Sequence, residues 1–141
     1  MFSLQTIFGK GDKFYGLLEA SAESASTSAR VLLEFLDTPA PQRSLDKFKQ
    51  ARRREKELFN QISEELVKTF VTVLDREDIE ALNSALYKIP KIIEKFAERY
   101  ILALTRLGDV DFSARSAMLE QACLVLEQMV GVLRKGMDLD E

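Results

Sequence analysis

The chain has 141 residues, of which 46% are hydrophobic and 30% charged, with a net charge of −3; this suffices for one domain with a modest core. The acidic balance excludes nucleic-acid binding driven by bulk positive charge. There is no His and only one Cys, which excludes His-based triads, most zinc sites and any intramolecular disulfide.

Cys123 reads as a small buried hydrophobe on a helix, in a chain suited to a reducing cytoplasm. The N-terminal MFSLQTIFGKG has neither the basic leader nor the apolar run of a signal peptide. No apolar run approaches the ~20 residues of a membrane span, so the expectation is a cytoplasmic protein without a span. The apolar cluster Phe2, Leu4, Ile7 and Phe8 is expected to staple over a bundle end or to bury against a second copy.

In chain order, the first helix is expected from Asp12, as N-cap, to Leu36. Phe14, Leu18, Ala22, Ala25, Ala29, Leu32 and Leu36 form its apolar stripe. Its small polar middle, SAESASTSA, admits a linker reading, but the Ala spacing continues the stripe and favours a closely packed helix. TPAPQ breaks the chain. A second helix opens at Ser44 or Asp46 and is expected to reach Leu74, with Phe48, Ala51, Leu58, Ile62, Leu66, Phe70 and Val73 on one face. The third follows Asp75 and runs to Leu107, kinked at Pro90, with Gly108 as its stop. Asp111 or Ser113 caps the fourth, whose stripe reads Leu119, Ala122, Leu126, Met129, Val130 and Leu133. Nothing reads as a strand. The predicted fold is all-α, an up-and-down antiparallel bundle of about four helices in a single domain over residues 1–141. Helices two and three are expected to be the longest.

Two carboxylates depart from the pattern of surface charge. Glu55 falls within the apolar arc of helix two, level with Ser21, Ser24 and Ser28, which can donate hydrogen bonds to it. Asp78 falls on the apolar side of helix three, in its first turn, where free N–H groups favour a negative charge. They read either as oxygen ligands for a metal or as a serine-bonded Glu and a capping Asp. The second constellation is basic. Lys88, Lys91, Lys95 and Arg99 share one face of helix three, and Arg52, Arg53 and Arg54 lie level with them on helix two. This patch suits an anion, an acidic protein loop or an anionic membrane surface. The competing reading is a solvated face with Glu94–Lys91 and Glu98–Lys95 pairs.

The segments FSLQTIFGKGDKFYGLLEASAE, RRREKELFNQISEELVKTFVTVLDREDIEAL and the helix-three body through FAERY resemble the PhoU-like proteins, specifically the short type associated with Pit-family inorganic phosphate transporters. The resemblance spans roughly the first 135 residues, and TF…DREDI…L is its most specific part. It implies a PhoU-type helical bundle, often a homo-oligomer, without catalytic activity of its own. It also implies an inorganic phosphate transporter as partner and divalent metal clusters held by acidic motifs. Carried over by position, Glu77 and Asp78 match the acidic residues of the DREDI element and Glu55 or Glu57 the acidic motif of helix two, which makes Glu55, Glu57, Glu77 and Asp78 the candidate metal set; the candidate anion- or partner-binding set, Arg53, Arg54, Lys88, Lys91, Lys95 and Arg99, rests on helical spacing alone. Where relatives continue with Asp residues this chain has Tyr87, Lys88 and Lys91, and protonated Lys repels a cation. Family members usually carry further helices resembling a second repeat; self-association is one way to supply that packing.

Overall fold

The computed structural model describes residues 4–139, and the side-chain surroundings of residues 11–136. It contains four α-helices and, among the described residues, no strand: α1 (Leu4–Asp37), α2 (Asp46–Lys68), α3 (Arg76–Leu107) and α4 (Ser113–Val132). A 3₁₀ turn, Ala40–Gln42, lies between α1 and α2, and a second, Leu133–Leu139, continues α4.

α1 is the longest helix, 34 residues, contrary to the expectation that α2 and α3 would be. It begins before Asp12, so Asp12 is an in-helix carboxylate and not a cap. Of the N-terminal cluster, Phe2 lies outside the described residues. Leu4, Ile7 and Phe8 fall within α1, but their side chains are outside the described set. The small-residue middle is the reason α1 is central. Ser21, Ala22, Ser24, Ala25, Ser26, Ser28 and Ala29 are all buried, because α2, α3 and α4 each pack against α1. Only a helix with small side chains nearly all round accommodates three neighbours at close range.

α2 stops at Lys68, six residues short of the predicted Leu74. The cause is local: Thr69-Phe70-Val71-Thr72-Val73 is a β-branched and aromatic run that loses rotamer freedom in a helix. Phe70 is consequently 91% exposed and is not part of the core stripe. Two arginines satisfy the carbonyls left free at helix C-termini. Arg76 donates through Nη1 to Leu66 O and through Nη2 to Thr69 O at the end of α2. Arg43 donates to Phe35 O (3.0 Å) and Leu36 O (2.9 Å) at the end of α1, with its guanidinium over the Phe35 and Tyr100 rings.

α3 runs unbroken through the buried Pro90 and ends at Gly108, whose φ of +56° suits a residue without Cβ. Phe112, and neither Asp111 nor Ser113, occupies the N-cap position of α4; Asp111, one residue earlier, accepts from Ser113 N at 2.8 Å, and that bond holds its carboxyl below the ordinary range.

The core forms two clusters. One gathers Phe14, Leu18, Ile62, Leu66, Ile79 and Leu86; the other gathers Leu32, Phe35, Phe48, Ile93, Ala97 and Cys123. α2 and α3 pack on each other as well as on α1, whereas α3 and α4 bring no Cα atoms within 8 Å of one another. The bundle is therefore a three-helix core with α4 laid against α1, open along the side between α3 and α4.

Candidate binding surfaces

Glu55 is where the sequence places it, fully buried on α2. Ser21 Oγ donates to Glu55 Oε1, and Ser24, also buried, lies one turn further along α1. Ser28 instead bonds Ser24 O at 3.0 Å. Glu55 Oε2 has no partner among the described residues. Burial pushes this carboxyl above its ordinary value; the two serines and the Arg52 and Arg54 charges oppose the shift without cancelling it. The fold thus favours the neutral acid.

The other three acidic candidates do not join it. Glu57, Glu77 and Asp78 are exposed, and among the described residues no three Cys, Asp or Glu side chains come together as metal ligands. Asp78 is a correction. It lies in the first turn of α3, and although it shares a helical face with Leu82 and Ile89, which pack against the core, it is exposed one turn before them.

The basic candidates divide. Lys88, Lys95 and Arg99 are exposed along α3 and Lys91 is half-buried; none of the four is in an ion pair among the described residues. The expected Glu94–Lys91 and Glu98–Lys95 pairs are not formed. Glu94 reaches across to Arg52 at 3.0 Å, because Arg52 is held over the Tyr87 ring at 5.2 Å and presents its fork to α3. Arg53 lines a shallow groove of about 310 Å³ with Lys49, Arg52, Lys56 and Glu94. Arg54 lies on another face, lining the α1–α2 cleft with Glu23, Arg30 and Lys47. One patch becomes two. The sequence reading passed over Lys49 and Lys56, although the series 49, 52, 53, 56 has one-face helical spacing.

The third surface is apolar. A cleft of about 320 Å³ runs where α3 and α4 stand apart: Leu32 and Leu36 of α1 form its floor, Ile92, Ile93 and Phe96 one wall, and Leu119 the other. Phe112, edge-on to Phe96 (5.5 Å) and Tyr100 (5.9 Å), closes one end. The lining is almost entirely apolar, with Arg115 at its rim. Sequence periodicity does not show this cleft, because every residue lining it also qualifies as core.

α4 departs most from expectation. Its buried face is Ser116, Cys123 and Val130, whereas Leu119 and Met129 of the predicted stripe are exposed. Ser113–Gly136 is long and apolar enough to cross a membrane by length and composition alone, with 17% of its apolar window buried. Comparison with protein-family models, curated proteins and solved structures finds no match.

Proposed function

We propose that this chain is a non-enzymatic accessory protein of inorganic phosphate transport, acting by protein–protein contact at the cytoplasmic face of a transporter. The observation that carries the binding role is the cleft between α3 and α4. It is open, apolar and walled by two helices set apart from each other, the shape that receives the apolar face of a partner helix. Ile92, 63% exposed at its lip, costs solvation unless covered. The phosphate-transport assignment rests on the sequence resemblance. The unpaired Lys88, Lys95 and Arg99 supply a second contact for acidic loops.

Co-purification with a membrane-embedded Pit-type phosphate transporter, together with phosphate uptake by cells carrying both proteins, tests the reading. The wild-type chain should co-purify and alter uptake. Ile92→Glu should abolish both while keeping full helical circular dichroism. The triple reversal of Lys88, Lys91 and Lys95 to Glu should weaken capture in a salt-sensitive manner. Failure of the folded wild-type protein to co-purify would overturn the proposal.

A further inference from the structure

α4 keeps its carboxylates on the inside. Glu127 accepts from Ser26, Glu120 pairs with Arg30 at 3.3 Å, and Arg134, just beyond the helix, reaches Glu19 (3.2 Å) and Asp12 (2.8 Å), all on α1. The outward face is a neutral stripe, Met118, Ala122, Val125, Met129 and Val132, all exposed, Met118 at 73% and Met129 at 60%. Between Ser113 and Lys135 this face carries no Asp or Glu. The charges that flank it are cationic and stand at its two ends, Arg115 in the first turn of α4 and Lys135 in the 3₁₀ turn that follows. Both are exposed, and neither is in an ion pair among the described residues. Across the cleft, Ile92 is exposed on α3, with Lys88, Lys95 and Arg99 on the same side of that helix within two turns of it.

We infer that α4 docks flat on an anionic lipid membrane through its outward stripe. The stripe enters the boundary between headgroups and acyl chains, and the surrounding Lys and Arg meet the lipid phosphates and carboxylates. Charge favours this occupant. The chain is acidic, −3 overall, yet Arg115, Lys135, Lys88, Lys95 and Arg99 border its apolar side, so an anionic surface turns that side toward itself. Composition points the same way. Ser113–Gly136 is apolar enough for hydrocarbon, but only 17% of its apolar window is buried, so packing in the bundle does not account for that apolarity. The stripe itself is Ala, Val and two Met. These present no hydrogen-bonding group that would specify one protein surface, and the unbranched, flexible Met side chain adapts to irregular apolar surroundings such as acyl chains.

The helix lies on the membrane and does not cross it. A spanning α4 would carry Glu120, Glu127 and Arg134 into hydrocarbon and break their bonds to α1. Lying flat, α4 keeps every one of those bonds and immerses only the side that faces away from α1.

The test is sedimentation with lipid vesicles. The wild type should pellet with phosphatidylcholine vesicles carrying about 30% phosphatidylserine, pellet far less with phosphatidylcholine alone, and be released as salt is raised. Arg115→Gln combined with Lys135→Gln should weaken partition roughly 25-fold, about fivefold for each charge. Val125→Glu combined with Met129→Glu should abolish it with helical circular dichroism unchanged. The chain has no Trp, so a single introduced Trp reports on its own surroundings. Emission of Val125→Trp should shift to the blue on anionic vesicles, whereas that of Asn60→Trp, exposed on α2, should not. Wild-type protein left in the supernatant, sedimentation indifferent to lipid charge or to the two Glu substitutions, or an equal shift at both Trp positions overturns the inference. So does a solution mass of twice 16.0 kDa with Val125→Trp emission already blue and unmoved by lipid, which assigns the stripe to a second copy. The vesicles hold no transporter, so this outcome is separate from that of the proposed function.

Discussion

Ser26 on α1 donates its hydroxyl hydrogen to Glu127 Oε2 on α4, 101 residues away along the chain. Ser26 is buried, so an acidic side chain of the last helix points into the bundle while Met129, two positions on, points out. The same rotation of α4 opens the groove toward α3 and turns the neutral stripe to solvent.

Removing the acceptor tests that rotation. Glu127→Ala should cost about 1 kcal/mol in urea unfolding, the net worth of one partly buried hydrogen bond. It should not cost more, because the Ser26 hydroxyl can turn its hydrogen to Glu23 O, 3.0 Å away. Glu120→Ala, whose Arg30 partner is more than half exposed, should cost under about 0.5 kcal/mol. If the carboxylate of residue 127 faced solvent, its loss would be as small as that of residue 120.

The buried carboxyl of Glu55 makes stability depend on pH. Its folded value is raised above the ordinary 4.5, so the protonated form is the one the fold favours. Its contribution is complete below 4.5 and is lost as pH rises through the folded value. Glu55→Gln keeps the shape and removes the charge. It should raise the melting temperature at pH 8 and have little effect at pH 4, flattening the melting profile between them. A parallel pair of profiles would show the carboxylate to be ionised at no cost in the folded state.

Two glycines respond in opposite directions. A Cβ at Gly11 would stand 2.5 Å from Val73 Cγ1, on a stiff side chain in the loop before α3, whereas one at Gly131 meets nothing. Gly131→Ala should stabilise by about 0.5 to 1 kcal/mol through helix propensity. Gly11→Ala should destabilise by about 1 to 2 kcal/mol despite the same propensity gain, because of overpacking. Thermal unfolding of the two variants side by side decides it.

Arg43 joins the end of α1 to the aromatic cluster. Arg43→Ala removes two bonds to helix carbonyls and a guanidinium between Phe35 and Tyr100, and should cost about 2 kcal/mol. Arg43→Lys should recover less than half of this, since an ammonium lacks the planar fork. Full recovery by Lys would reduce the role of Arg43 to charge alone.

Much of the architecture can be read from single helices. The start of α3 after Asp75, its stop at Gly108, the buried Cys123 and the meeting of Glu55 with Ser21 all follow from local chemistry. Each depends on one helix or on one adjacent pair. The early end of α2 was also written locally, in the β-branched run from Thr69, but the continuing apolar spacing of Phe70 and Val73 masked it.

By itself, the sequence determines four helices, the stop of α3 at Gly108 and the burial of Glu55, because backbone periodicity and hairpin register are short-range properties. Only the tertiary structure decides which way α4 faces, that Asp78 is exposed, and that Arg53 and Arg54 serve different surfaces. The reason is rotational. α4 is apolar over most of its circumference, so a helical wheel offers two equivalent faces, and the choice is made by Ser26, Arg30 and Glu19, about a hundred residues earlier. Once those bonds turn α4 toward α1, a cleft lined by Ile92, Phe96 and Leu119 is left between α3 and α4, while Asp78 stays exposed in the first turn of α3.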